Sequence, residues 1–150
     1  MTDLWKLVVL ALFICISCES EDDASEITGT LDGTWKLEAR IYDGSRESLT
    51  ECEMMQTVTF SGEESLSMYW LEIPPCEFSG YTGTYILNGE QLSVTLPEWP
   101  DSNGAFISNY KVLLLSESDL RVELLNDSER GDYPDEEKTI LIFEKESPAS

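Results

Sequence analysis

The chain is predicted to be all-β, an eight-stranded up-and-down antiparallel barrel, with a β-sandwich of similar length as the alternative. Three observations carry this. Short apolar or alternating β-rich runs follow one another from residue 34 almost to the end, and no segment has a convincing helical period. Turn residues separate the runs, as in Ser61-Gly62-Glu63-Glu64, Asn88-Gly89 and Ser116-Glu117-Ser118. The links also alternate between tight and long, which in an up-and-down barrel puts all tight turns at one end and all long loops at the other.

The first predicted strand, Thr34–Tyr42, alternates most plainly: Trp35, Leu37, Ala39 and Ile41 fall on one face against Lys36, Glu38 and Arg40. Gln56–Phe60 and Ser65–Ile73 follow, joined by the Ser61–Glu64 turn. Thr82–Leu87 and Gln91–Leu96 flank Asn88-Gly89, the strongest hairpin signal in the chain, because both residues tolerate positive φ. Phe106–Leu115 and Leu120–Leu125 form the next hairpin, and Lys138–Phe143 is the last strand. The third and sixth strands are apolar on both faces, so their inward side is not legible. The long links are Asp43–Met55, Pro74–Tyr81, Pro97–Ala105 and Asn126–Glu137, and together they carry a net charge of -11. Eight strands can close on themselves and leave no exposed edge.

Residues Met1–Asp23 address the chain. An apolar run, Leu7–Ile16, is too short to span a bilayer, where roughly 20 residues are needed, and has the length of a signal-peptide core. Ser17-Cys18 at its end resembles the lipobox of bacterial lipoproteins, in which the cysteine is lipidated and the chain is cut before it. Cys15 is the poorer candidate, since bulky Ile14 precedes it. The acidic run Glu19-Ser20-Glu21-Asp22-Asp23 resembles the signal that sends Bacteroidetes lipoproteins to the outer face of the outer membrane. The expected organisation is a signal peptide over 1–17, lipidated Cys18 and an acidic tether over 18–30, a barrel over 31–146 and a tail over 147–150. The expected location is the outer membrane facing the exterior, with the periplasmic face as the alternative.

Net charge and cysteine count narrow the function. The chain carries -21 and has no basic patch, so it repels phosphates and nucleic acid is excluded as a partner. After Cys18, two cysteines remain, Cys52 and Cys76. In an exported protein an even pair points to a disulfide, with two separate thiols as the alternative. The sequence has no histidine, so a zinc site would have too few ligands.

Gly33-Thr34-Trp35 resembles the Gly-x-Trp signature of lipocalins. The wider set, Leu31–Leu37, Cys52, Thr57–Ser61, Cys76, Thr82–Tyr85 and Asn88–Leu92, is similar to the lipocalin-like domains of Bacteroidetes lipoproteins. The resemblance implies a barrel whose closed end packs Gly33 and Trp35 against a cation near the last strand. Lys145 stands there, with Arg121 as another candidate. It also implies a small apolar ligand inside, with Leu37, Ile41, Phe60, Met68, Trp70, Tyr85 and Val94 as lining candidates. An acidic mouth should disfavour fatty-acid carboxylates and favour neutral or cationic molecules. The alternative is a barrel filled by its own side chains, acting as a structural or interaction module of the envelope through its acidic loops, with the protein partner unknown.

No enzyme is expected, because no catalytic base, nucleophile elbow or phosphate loop is present, and no cofactor is implied. The last long link gathers Asp127, Glu129, Asp132 and Asp135, an oxygen-rich set of the kind that suits calcium, but its spacing matches no EF-hand loop; no metal is expected, with calcium at these four residues as the alternative.

Overall fold

A computed structural model describes residues 25–73, 76–97, 99 and 104–147. The expected signal peptide, lipidation site Cys18 and most of the acidic tether lie outside these residues.

Eight strands close a barrel. They are β2 (Gly33–Tyr42), β4 (Thr57–Ser61), β5 (Ser65–Ile73), β6 (Glu77–Asn88), β7 (Gln91–Leu96), β8 (Phe106–Leu115), β9 (Asp119–Asp127) and β11 (Thr139–Lys145). Each pairs antiparallel with the next around the ring, and β11 returns to β2. Three short strands decorate it: β1 (Glu26–Ile27) beside β8, β3 (Ser45–Glu47) beside β2, and β10 (Gly131–Asp132) beside β9.

Two sequence-based boundaries are corrected. Strand β6 begins at Glu77, not at Thr82, so the second of the long links shrinks to residues 74–76. Glu77–Gly80 has no apolar alternation to announce a strand. Pairing with β5 recruits it, and Phe78 stacks on Tyr69 with ring centroids 4.6 Å apart. The end of the expected tether is also not free. Glu26 and Ile27 pair parallel with Leu114 and Leu115, and the N–H groups of Thr28 and Gly29 both donate to the Leu115 carbonyl.

The closed end is built around Trp35, which is fully buried. Its indole Nε1 donates to the Leu31 carbonyl at 2.6 Å, and Lys145 Nζ lies 5.0 Å from the ring centroid. Arg121 takes no part: it is exposed and pairs with Ile142 and Leu114 on the outside of the sheet. A lysine on the last strand reaches the ring because β11 runs directly beside β2, pairing Lys145 with Trp35. Gly33 makes room for this contact. Its φ is +122°, and an added Cβ would stand 2.6 Å from Lys145 Cε. Lys145 can swing aside, but the backbone conformation cannot be relieved so easily. Gly33→Ala is therefore expected to lower stability by about 1–3 kcal/mol, measured by urea unfolding. An unchanged midpoint would mean that the backbone relaxes there.

A bulge in β2 decides what faces inward. Leu37 pairs with Phe143 while Ala39 pairs with Ile142, which leaves Glu38 as an extra residue. Such an insertion reverses the alternation beyond it. Trp35 and Leu37 therefore point into the barrel, and so does Arg40, while Ala39 and Ile41 fall on the other face. The single apolar face expected for β2 is broken at its middle.

Candidate functional site

The barrel is not filled by its own side chains. A cavity of about 290 Å³ opens toward the long-loop end. Toward the closed end it is bounded by Phe60, Leu92, Leu120 and Phe143, which come from strand segments next to the tight turns. The middle of the wall is Met68, Val94, Val122 and Leu141. At the mouth stand Trp70, Trp99 and Phe106, with Trp99 and Phe106 stacked at 4.9 Å and Tyr81 packed on Trp99 at 4.8 Å.

Of the seven lining candidates named from sequence, Phe60, Met68, Trp70 and Val94 border the cavity. Leu37, Ile41 and Tyr85 do not. Leu37 is buried in the core on the closed-end side of the bulge. Ile41 is turned to the outer face by that bulge. Tyr85 is buried with its ring edge-on to Phe60 at 4.9 Å, and its hydroxyl donates to the Ser61 carbonyl at 3.0 Å, below the cavity. Register also settles the two strands that were apolar on both faces. Strand β5 turns Leu66, Met68 and Trp70 inward, and β8 turns Phe106, Ser108, Tyr110 and Val112 inward.

Among the described residues, two side chains charged at neutral pH line the cavity, Arg40 and Asp127, and neither was expected there. Arg40 Nε is ion-paired with Glu47, and Nη2 lies 2.9 Å from Glu53 Oε1. Glu53 in turn accepts the backbone N–H and the hydroxyl of Thr50, at 2.8 and 2.9 Å. These bonds from Thr50, helped by Arg40, hold the Glu53 carboxyl below its ordinary range. The Cys52–Cys76 disulfide clamps the same loop, with Cα atoms 5.4 Å apart. Cys76 belongs to the link between β5 and β6, so the bridge ties two loops of the mouth together.

Asp127 ends β9 and is 9% exposed. Its Oδ1 accepts the N–H groups of Glu129 and Arg130, at 2.8 and 2.7 Å, and Oδ2 accepts the Tyr133 hydroxyl at 2.5 Å. Burial alone would push this carboxyl up. The Tyr133 hydroxyl and the two N–H groups outweigh burial and hold it below the ordinary value. The phenol responds in the opposite sense: burial and the hydrogen bond to Asp127 push Tyr133 up to about 12. Tyr110, beside Ser108 in the same wall, is also pushed up, chiefly by burial and then by the Asp127 charge.

A pH prediction follows from these shifts. Asp127 is lowered on folding, so its contribution is present above the unfolded carboxylate value and is lost as pH falls through the folded one. Tyr133 is raised, so its contribution is complete below about pH 10 and disappears as pH rises toward about 12. Phenolate absorbance should show Tyr85, Tyr110 and Tyr133 titrating late, and Tyr133→Phe should remove the step at about 12. Loss of a step near pH 10 in Tyr133→Phe, with the late steps unchanged, would show that the Asp127 bond is not kept in solution.

The acidic set of the last long link does not converge. Asp127 spends its oxygens on Tyr133 and the turn, and Asp135 lies 3.3 Å from Lys138 Nζ. Glu129 and Asp132 are exposed on the turn and on β10. Among the described residues no group of three metal-ligating side chains comes together.

Comparison with known proteins agrees with this geometry. The chain matches the family model of the lipocalin-like domain over residues 31–122. It is similar to the crystal structure of a lipocalin-like protein from Bacteroides uniformis, at a TM-score of 0.54 and 26% identity, over 77% of this chain and 98% of that one. An uncharacterized protein from Bacteroides eggerthii shares the fold at a TM-score of 0.51 and 20% identity, over 78% of this chain and all of its own. No curated protein matches. Closed ring, buried Gly-x-Trp tryptophan and family match converge: the chain belongs to the lipocalin-like domain family.

Proposed function

We propose that this is a lipid-anchored protein of the outer membrane, facing the exterior, whose barrel carries one small apolar molecule and catalyses no reaction. The observation that carries the binding reading is the cavity. At about 290 Å³ it lies at the lower edge of the range of ligand pockets, about 300–1,000 Å³, and its walls are mostly aliphatic and aromatic. A barrel packed solid, the alternative, fits less well with that space. The anchor reading rests on Ser17-Cys18 after the apolar run and on the acidic residues that follow.

Topology adds an orientation. The chain enters β2 at the tight-turn end, so a leash from Cys18 holds that end toward the membrane and presents the mouth outward. A tether of several residues spans only tens of ångströms.

Two measurements test the proposal. Native mass spectrometry of a Cys18→Ser protein, exported and purified without detergent, should show a discrete added mass that is lost on denaturation. A bare mass that persists after incubation with apolar probes would remove the carrier reading. Fractionation tests the anchor separately: Cys18→Ser should move the protein from membrane to soluble fractions, and protease added to intact cells should degrade the wild type. A wild-type protein recovered in the soluble fraction would remove the anchor reading.

A further inference from the structure

We infer that the occupant of the barrel is an amphiphile with a protonated amine head, which Asp127 holds at the mouth with Ser108 and Tyr110 while the apolar body fills the cavity. This rests on the carrier reading above and narrows it to a ligand class.

The charge balance of the wall points this way. Arg40 and Asp127 are the side chains charged at neutral pH that line the cavity among the described residues. Arg40 is already met by two carboxylates, Glu47 and Glu53, so a ligand anion would have to displace one of them. Asp127 is different, because its hydrogen-bond donors are all neutral: one phenol and two backbone N–H groups. They orient the carboxylate and keep it ionised, but they do not cancel its charge. No ion pair to Asp127 forms among the described residues; Arg130, on the exposed turn with its guanidinium 5.9 Å from the Tyr133 ring centroid, acts on Asp127 through space and helps keep it ionised. Together Arg40 and Arg130 against Glu47, Glu53 and Asp127 leave a net charge of -1 at this mouth (two cations, three carboxylates).

Hydrogen-bond capacity agrees. A carboxylate offers about four acceptor directions, and Asp127 uses three. Ser108 is its direct partner across β8 and β9, and Tyr110 is the next inward residue on β8. Hydroxyls accept as well as donate. An alkylammonium brings three N–H donors and no acceptor, which suits this set of oxygens. Aromatic rings at the same mouth, Trp99 and Phe106, add faces that attract a cation. A fatty acid would meet the opposite: like charge at Asp127 and an occupied guanidinium at Arg40.

Three probes of one chain length separate the alternatives: n-octylamine, n-octanol and octanoate, titrated calorimetrically into the Cys18→Ser protein at pH 7. Octylamine should bind at least tenfold tighter than octanol, and octanoate more weakly than octanol. Asp127→Asn, checked by near-ultraviolet circular dichroism, should bring octylamine down to the octanol level. Octanol binding as tightly as octylamine to the wild-type cavity would overturn the inference and leave the carrier reading standing. Failure of all three probes to bind would overturn both. A folded Asp127→Asn that keeps the amine preference would overturn the role of Asp127. Should that variant not fold, Ser108→Ala and Tyr110→Phe replace it: loss of amine preference supports the inference, and its full retention in both overturns it.

Discussion

Trp35→Ala is expected to destabilise the protein by about 3–5 kcal/mol, a large share of the roughly 5–15 kcal/mol that holds such a domain together. The side chain is fully buried at the closed end, where Leu31, Val58 and Phe143 belong to the same core cluster. Truncation leaves a void where strands β2, β4 and β11 meet, strips the Leu31 carbonyl of its indole donor, and leaves Lys145 with no ring to cover. These losses separate by substitution. Trp35→Phe keeps a ring but removes the Nε1 bond, so it should cost less than Trp35→Ala. Lys145→Ala removes a cation–π contact worth about 0.5–1 kcal/mol at a partly exposed site. Chemical unfolding of the three variants should rank them in that order. A Trp35→Ala protein as stable as the wild type would mean that the closed end is not part of the cooperative core.

Opening the Cys52–Cys76 bridge is expected to have the next largest effect, about 3 kcal/mol, because it releases a 24-residue separation in the unfolded chain. The consequence reaches the cavity. Cys52 precedes the short 3-10 turn Glu53–Met55, and Glu53 anchors both Thr50 and Arg40. A Cys52→Ser, Cys76→Ser protein should unfold at lower urea and bind barrel ligands more weakly, because Arg40 loses a fixed partner at the mouth. Comparing oxidised and reduced wild type by urea unfolding gives the same answer without mutation. An unchanged midpoint on reduction would mean that the two loops are held together by other contacts.

Much of the architecture was legible from residues alone. Strands such as Gln91–Leu96 and Phe106–Leu115 agree to the residue, since period-two patterning and the Asn88-Gly89 turn act locally. Cys52 and Cys76 were paired by counting, and the bridge joins them. Phe60, Met68, Trp70 and Val94 border the cavity, although the inward side of the strand that carries Met68 and Trp70 was not legible from its pattern. The misses have separate causes. Ile41 and Arg40 changed places at a bulge whose extra residue, Glu38, looks like any other polar position in an alternating strand. Asp127 sat in an acidic stretch that reads as a solvated loop, yet Tyr133, six residues on, folds back to cover it.

The sequence by itself pointed to the class of fold, the order of the strands and the pairing of the cysteines through short-range patterning and a count, and to the tryptophan-centred closed end through the resemblance of Gly33-Thr34-Trp35 to the lipocalin signature. Only the tertiary structure decided which face of β2, β5 and β8 turns inward, that a cavity is left between them, and that a carboxylate borders it without an ion pair among the described residues. Those properties belong to register between strands far apart in the chain. A single inserted residue reverses a face there without leaving a mark on composition or period.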